Sequence, residues 1–86
     1  MPGVTHDPSN DRFEIDLPSG QATLKYALEG DRLILLHTEV PREAEGQGYG
    51  GALVRAALDH AREEGLRVLA VCPFASAYLE RHREGE

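Results

Sequence analysis

The sequence predicts a single α+β domain in the order β-β-β-α-β-α. An antiparallel meander of three strands leads through a helical crossover to a fourth strand, parallel to the third, and a short closing helix. Three observations predict it. Residues 12–40 hold three strand-like stretches separated by the tight turns Pro18-Ser19-Gly20 and Glu29-Gly30-Asp31. The next segment, Glu45 to Ala61, opens with Gly46, Gly48, Gly50 and Gly51 and passes without a break into residues at helical spacing. A short apolar run, Leu66 to Val71, then ends at Cys72-Pro73, a pair suited to begin another helix.

Taken in order, Met1 to Asn10 is rich in Pro, Ser, Asn and Asp and reads as a flexible lead-in. Arg12 to Leu17 alternates, with Phe13, Ile15 and Leu17 on the apolar side, as a half-buried strand does. Gln21 to Glu29 alternates again, with Ala22, Leu24, Tyr26 and Leu28 inward. Arg32 to Val40 is the third strand; its LILL centre is apolar on both faces and predicts cover on both sides. Pro41 ends it. The helix is expected from Gly48 to Glu64, with Leu53, Val54, Ala57, Leu58 and Ala61 on one face and Gly65 as its stop. Leu66 to Val71 is apolar on both faces, which predicts an interior strand. The last helix runs from Pro73 to His82 with Ala75, Tyr78 and Leu79 inward, and residues 83–86 form a loose polar tail. The folded unit is thus expected over residues 11–82.

Eighty-six residues allow one domain with a core just large enough to fold unaided. The apolar runs are too short to span a bilayer. The net charge of −6 argues against nucleic-acid binding, which needs a basic excess. The first residues carry neither a basic nor an apolar signal segment, and the chain has a single cysteine. The expected location is therefore the cytoplasm. The expected metal content is none, because four scattered histidines and one cysteine compose no zinc set. His6 and His60 receive no role.

A helix start presents unpaired N–H groups and the positive end of the peptide dipoles, and glycines let a ligand approach the backbone. The Gly46–Gly51 turn is thus a physical recipe for holding phosphate oxygens. The same glycines also fit a plain tight connection. No Gly-Lys-Ser/Thr follows, so this is not a P-loop, and no βαβ unit precedes it, so a dinucleotide fold is not expected.

Three blocks carry a resemblance: HTEVP at 37–41, EGQGYGGALV at 45–54, and CPF at 72–74 followed by Tyr78. Within the second, Gln47-Gly48-Tyr49-Gly50-Gly51-Ala52 matches the Q/R-x-x-G-x-G/A signature of the GNAT (Gcn5-related) N-acetyltransferases, and the whole resembles their small single-domain members over residues 11–82. The resemblance implies acetyl-CoA as co-substrate and an amine as acceptor. It implies that backbone N–H groups around Gln47 to Gly51 cradle the pyrophosphate, with Ala52 also among the cofactor-binding residues. Val40 would hydrogen-bond the pantetheine arm as an added strand does, and Phe74 and Tyr78 would flank the cofactor. The helix pair and extra strands with which larger members build the acceptor pocket have no counterpart in these 86 residues, so the resemblance names no acceptor. Oligomeric state is likewise not set by it.

Cys72 precedes Pro73, where a helix start favours thiolate over thiol. It ends the fourth strand beside the third, so His37 is expected nearby in a base–nucleophile pair; an inert buried cysteine is the alternative. His37 and Glu39 share one face, with Thr38 on the other, and either can take a proton from an attacking amine; a structural His37 and a Glu39 bound to Arg42 fit equally. A tyrosine on the last helix protonates the leaving thiolate in many members, a role open to Tyr78, which also suits packing. Arg42, Arg81, His82 and Arg83 are candidates for the CoA phosphates or a solvated face. Two functions remain: an acetyltransferase, acting directly or through acetyl-Cys72, and a CoA-binding module without turnover.

Overall fold

A computed structural model describes residues 3–82. The tail expected over 83–86 and the CoA contacts of Arg83 and the His82 side chain lie outside the described residues. Strands β1 (Thr5–Asp7), β2 (Arg12–Leu17), β3 (Gly20–Glu29), β4 (Arg32–Glu39) and β5 (Arg67–Ala70) form one sheet in sequence order. Helix α1 (Tyr49–Glu64) joins β4 to β5, and α2 (Pro73–His82) follows. The first four strands pair antiparallel and β5 pairs parallel to β4. The α+β class, the meander, the crossover and the parallel last strand are as the sequence predicts.

The lead-in differs. Residues 5–7 form an edge strand rather than a loose segment, with Thr5 opposite Glu14 and Asp7 opposite Arg12. The cause is a ring cluster. His6 stacks on Phe13 at 4.3 Å and 12°, meets the edge of His60 from α1 at 4.5 Å, and shares a 2.6 Å hydrogen bond with the hydroxyl of Tyr26. Two histidines left without a role thus tie the N-terminal segment to the core.

Both helices pack on one face of the sheet. Phe13, Ile15, Ala22, Leu24, Tyr26, Leu33 and Leu35 meet Leu53, Val54, Ala57 and Ala61 of α1 and Ala75 and Tyr78 of α2. Among the described residues the cover expected on both sides of β4 is absent: Leu33 and Leu35 are buried while Leu36 is exposed. The interior place expected for β5 also fails. It is the sheet's terminal strand, with Leu69 and Val71 exposed on the uncovered face. Apolar residues on both faces here reflect a one-layer cover, not a sandwich. Leu28 shares the face of Leu33 yet is exposed, because it lies beyond the start of β2, whose pairing with β3 begins at Arg12↔Lys25.

A bulge in β4 positions the site. Pairing with β3 runs Leu35↔Tyr26 and then His37↔Lys25, leaving Leu36 as the extra residue. One inserted residue exchanges the two faces of a strand. Before the bulge odd-numbered residues point to the core; after it, Thr38 lies opposite the buried Leu24 and points there instead.

Candidate functional site

The hydrogen-bonded pairing of β4 with β5 ends at Leu35↔Ala70, where the amides of Val71 and Cys72 share the carbonyl of Leu35 at 2.9 and 3.1 Å. Past that point the pairing stops, and among the described residues the chain of β4 from 36 onward has no strand beside it on the β5 side. A cavity of about 360 Å³ lies at this end of the molecule. Thr38 of β4, Val40 just past its end, the glycines 46, 48, 50 and 51, Tyr49 and Phe74 line it, with Ala44 and Glu45 from the connecting loop.

The glycines divide by physical role. Gly46 and Gly48 have φ of 82° and 88°, values at which any β-carbon is strained, and the space where one would sit is open. Gly48 is the N-cap of α1, and no side chain caps it; the first helical bond is Ala52 N–H to Gly48 O at 3.0 Å. The amides of Tyr49, Gly50 and Gly51 therefore have no acceptor within the helix, and these three residues line the cavity. Gly50 and Gly51 have ordinary helical backbones and are small for another reason. A β-carbon on Gly50 would lie 2.6 Å from the Phe74 ring, and one on Gly51 would lie 3.1 Å from the Tyr78 ring. The expected phosphate cradle is thus also the place where α1 crosses α2.

The cradle fits an anion by its amides, its dipole and its open glycine backbone. Glu45 on the rim is of the opposite tendency. Val40, which follows the last β4–β5 pair, lines the cavity, and so does Phe74 at the start of α2. Gln47 is exposed, its amide 3.5 Å from the Glu43 carbonyl, and borders with Tyr49 a second hollow of about 300 Å³. Ala52 is exposed on the first turn of α1, outside the cavity lining. Tyr78 is buried in the helix–helix contact. Arg42 and Arg81 are exposed, one before the glycines and the other in the last turn of α2.

Cys72 is buried at the junction of β5 and α2, with its carbonyl accepting the amide of Ser76 at 2.9 Å. Its sulfur lies 3.3 Å from the hydroxyl of Thr38. Burial pushes its pKa up, but hydrogen bonds from the Thr38 hydroxyl and from the amides of Ala75, Phe74 and Thr38 outweigh burial and bring the thiol below its usual range. The expected His37–Cys72 pair does not form. The bulge turns His37 to the outer face with Glu39; their side chains are 61 % and 72 % exposed and 4.0 Å apart. Thr38, which carried no role in the sequence reading, takes the place beside the sulfur. Nothing in the letters of HTEVP marks a bulge, so this exchange was not legible.

Among the described residues no group of three or more His, Cys, Asp or Glu side chains is placed to hold a metal ion, and no helix is long and apolar enough to cross a membrane.

A family model described as GCN5-related N-acetyl-transferase matches residues 12–86. Protein NATD1 of Mus musculus is 34 % identical over 82 residues, covering 92 % of this chain and 74 % of the relative. Protein NATD1 of Homo sapiens is 34 % identical with 92 % and 73 % covered. The NMR solution structure of a GCN5-like protein from Staphylococcus aureus superposes with a TM-score of 0.75 at 30 % identity, covering 94 % of this chain and 80 % of that one.

Proposed function

The chain belongs to the GCN5-related N-acetyltransferase family, and from that premise we propose that it binds acetyl-CoA in the cavity at the start of α1 and passes the acetyl group to an amine. The observation that carries this reading is that the uncapped first turn of α1 lines the same cavity as Thr38 and Val40, the part of the chain beyond the last β4–β5 pair. The amides of Tyr49 to Gly51 receive the pyrophosphate, and the unpaired backbone at Val40 receives the pantetheine arm as a strand would.

The sulfur of Cys72 is the acetyl carrier in this reading. As the thiolate it attacks the thioester carbonyl; a new S–C bond forms, the bond to the CoA sulfur breaks, and CoA leaves as its thiolate. The amine then attacks acetyl-Cys72, its proton passes through water to His37 or Glu39 on the outer face, and the cysteine thiolate is released. A second reading, direct attack of the amine on acetyl-CoA with the same base, is favoured by the exposure of His37 and Glu39, which a solvent-borne amine can reach.

Calorimetry with acetyl-CoA tests binding. Glu45→Lys replaces a negative charge with a positive one at an exposed position of the cavity lining and is expected to tighten affinity roughly ten-fold; an unchanged affinity would remove the cradle. Intact-mass measurement tests the carrier. Wild-type chain mixed with acetyl-CoA gains one acetyl group, and Cys72→Ala does not. Tight binding without thiol release on any amine would leave a CoA-binding module instead.

A further inference from the structure

We propose that Thr38 is the positioning residue for Cys72: its hydroxyl donates to the sulfur and holds it as a thiolate directly behind the stretch of cavity wall that Thr38 forms. This rests on the reading of Cys72 as acetyl carrier. Three features meet at Thr38. It lines the cavity, its oxygen lies 3.3 Å from the sulfur, and the β4 bulge at Leu36 is what turns it, and not His37, toward the covered face.

The polarity of this contact depends on the charge of the sulfur. A thiol is a weak donor and a weak acceptor, so with neutral Cys72 the contact contributes little. A thiolate accepts only, and the hydroxyl then makes a charge-assisted bond to it. Any such bond favours the ionised form selectively. The amides of Phe74 and Ala75 act in the same direction from the start of α2. Threonine is well suited to the task, since its branched β-carbon restricts χ1 and holds the hydroxyl on one heading. The bulge sits next to the cavity and re-aims one side chain, and the side chain it re-aims is this one.

The chain has one cysteine, so thiolate absorbance near 240 nm reports Cys72 alone once the Cys72→Ala curve is subtracted. The titration is run on the full chain without any CoA. Thr38→Val, which keeps the shape and loses the hydroxyl, is expected to move the thiolate midpoint to higher pH, and Thr38→Ser is expected to restore it. In acetyl-CoA the Thr38→Val adduct forms about ten-fold more slowly at neutral pH, and the deficit closes as pH rises. Equal midpoints for wild type and Thr38→Val overturn the proposal. So does a Thr38→Ser midpoint that stays with Thr38→Val. Should Thr38→Val not fold, Thr38→Ala makes the same comparison with a smaller side chain. A midpoint that moves as expected while wild type gains no acetyl adduct supports the grip of Thr38 on the sulfur and overturns acetyl-Cys72 instead.

Discussion

The ring of Phe74 occupies the space a β-carbon of Gly50 would take, 2.6 Å from where that atom would sit. The first turn of α1 and the start of α2 are therefore fitted to each other beside the cavity, and Gly50 is small enough to admit the ring of Phe74. A double-mutant cycle tests this fit. Gly50→Ala removes a helix-destabilising glycine, a gain of up to about 1 kcal/mol, but forces the ring aside. With Phe74 present the substitution is expected to destabilise; in a Phe74→Ala background it is expected to be neutral or stabilising. Urea unfolding of the four proteins gives the coupling, and an additive cycle would show that the ring and the glycine are independent.

Stability should fall in mild acid because of His6. Burial, and then the neighbouring His60, lower its pKa below the ordinary 6.5, with Asp7 opposing in part. The folded protein thus resists a proton that the unfolded chain accepts. The stabilisation is complete above about 6.5 and is lost as pH falls through that value to the depressed folded one. Thermal melts at pH 7.5 and pH 5 should differ by a few degrees, and His6→Gln should flatten the difference. Equal pH dependence in both proteins would detach the ring cluster from the effect.

Adjacent leucines should behave oppositely. Leu35 is wholly buried and Leu36 is 43 % exposed at the bulge. Leu35→Ala is expected to cost about 2–5 kcal/mol, while Leu36→Ala should cost less than about 1 kcal/mol. Denaturant midpoints measure both. Comparable losses would mean that the outer face is covered after all.

His37 and Glu39 form an exposed pair, so neither should matter for folding. His37→Asn and Glu39→Gln are expected to stay within about 0.5 kcal/mol of wild type. In the two-step reading His37→Asn still acquires the acetyl group on Cys72 but discharges it to an amine about 100-fold more slowly. Rapid-quench mass measurement resolves the steps. A variant that discharges at the wild-type rate would remove His37 as the base.

The amino-acid sequence by itself determined the elements from β2 to α2 and their order. Alternation in Arg12–Leu17, the glycine turn before Leu53, Gly65 at φ 69° and Pro73 at a helix start are local signals, and local backbone preferences enforce them. The cavity's ingredients were legible for the same reason: a helix start with no capping side chain is written in Gly46–Gly51. Tertiary structure alone decided which face each residue meets. The bulge at Leu36 depends on how β3 and β4 twist and pair, and it gave Thr38 the sulfur and His37 the solvent. The N-terminal strand depends on His6 meeting Phe13, Tyr26 and His60 from three distant parts of the chain. The bare outer face arises because both helices chose the same side, a choice that the apolar letters of LILL and LRVLAV do not record. Periodicity fixes conformation residue by residue, whereas facing is settled only when separate segments compete for one surface.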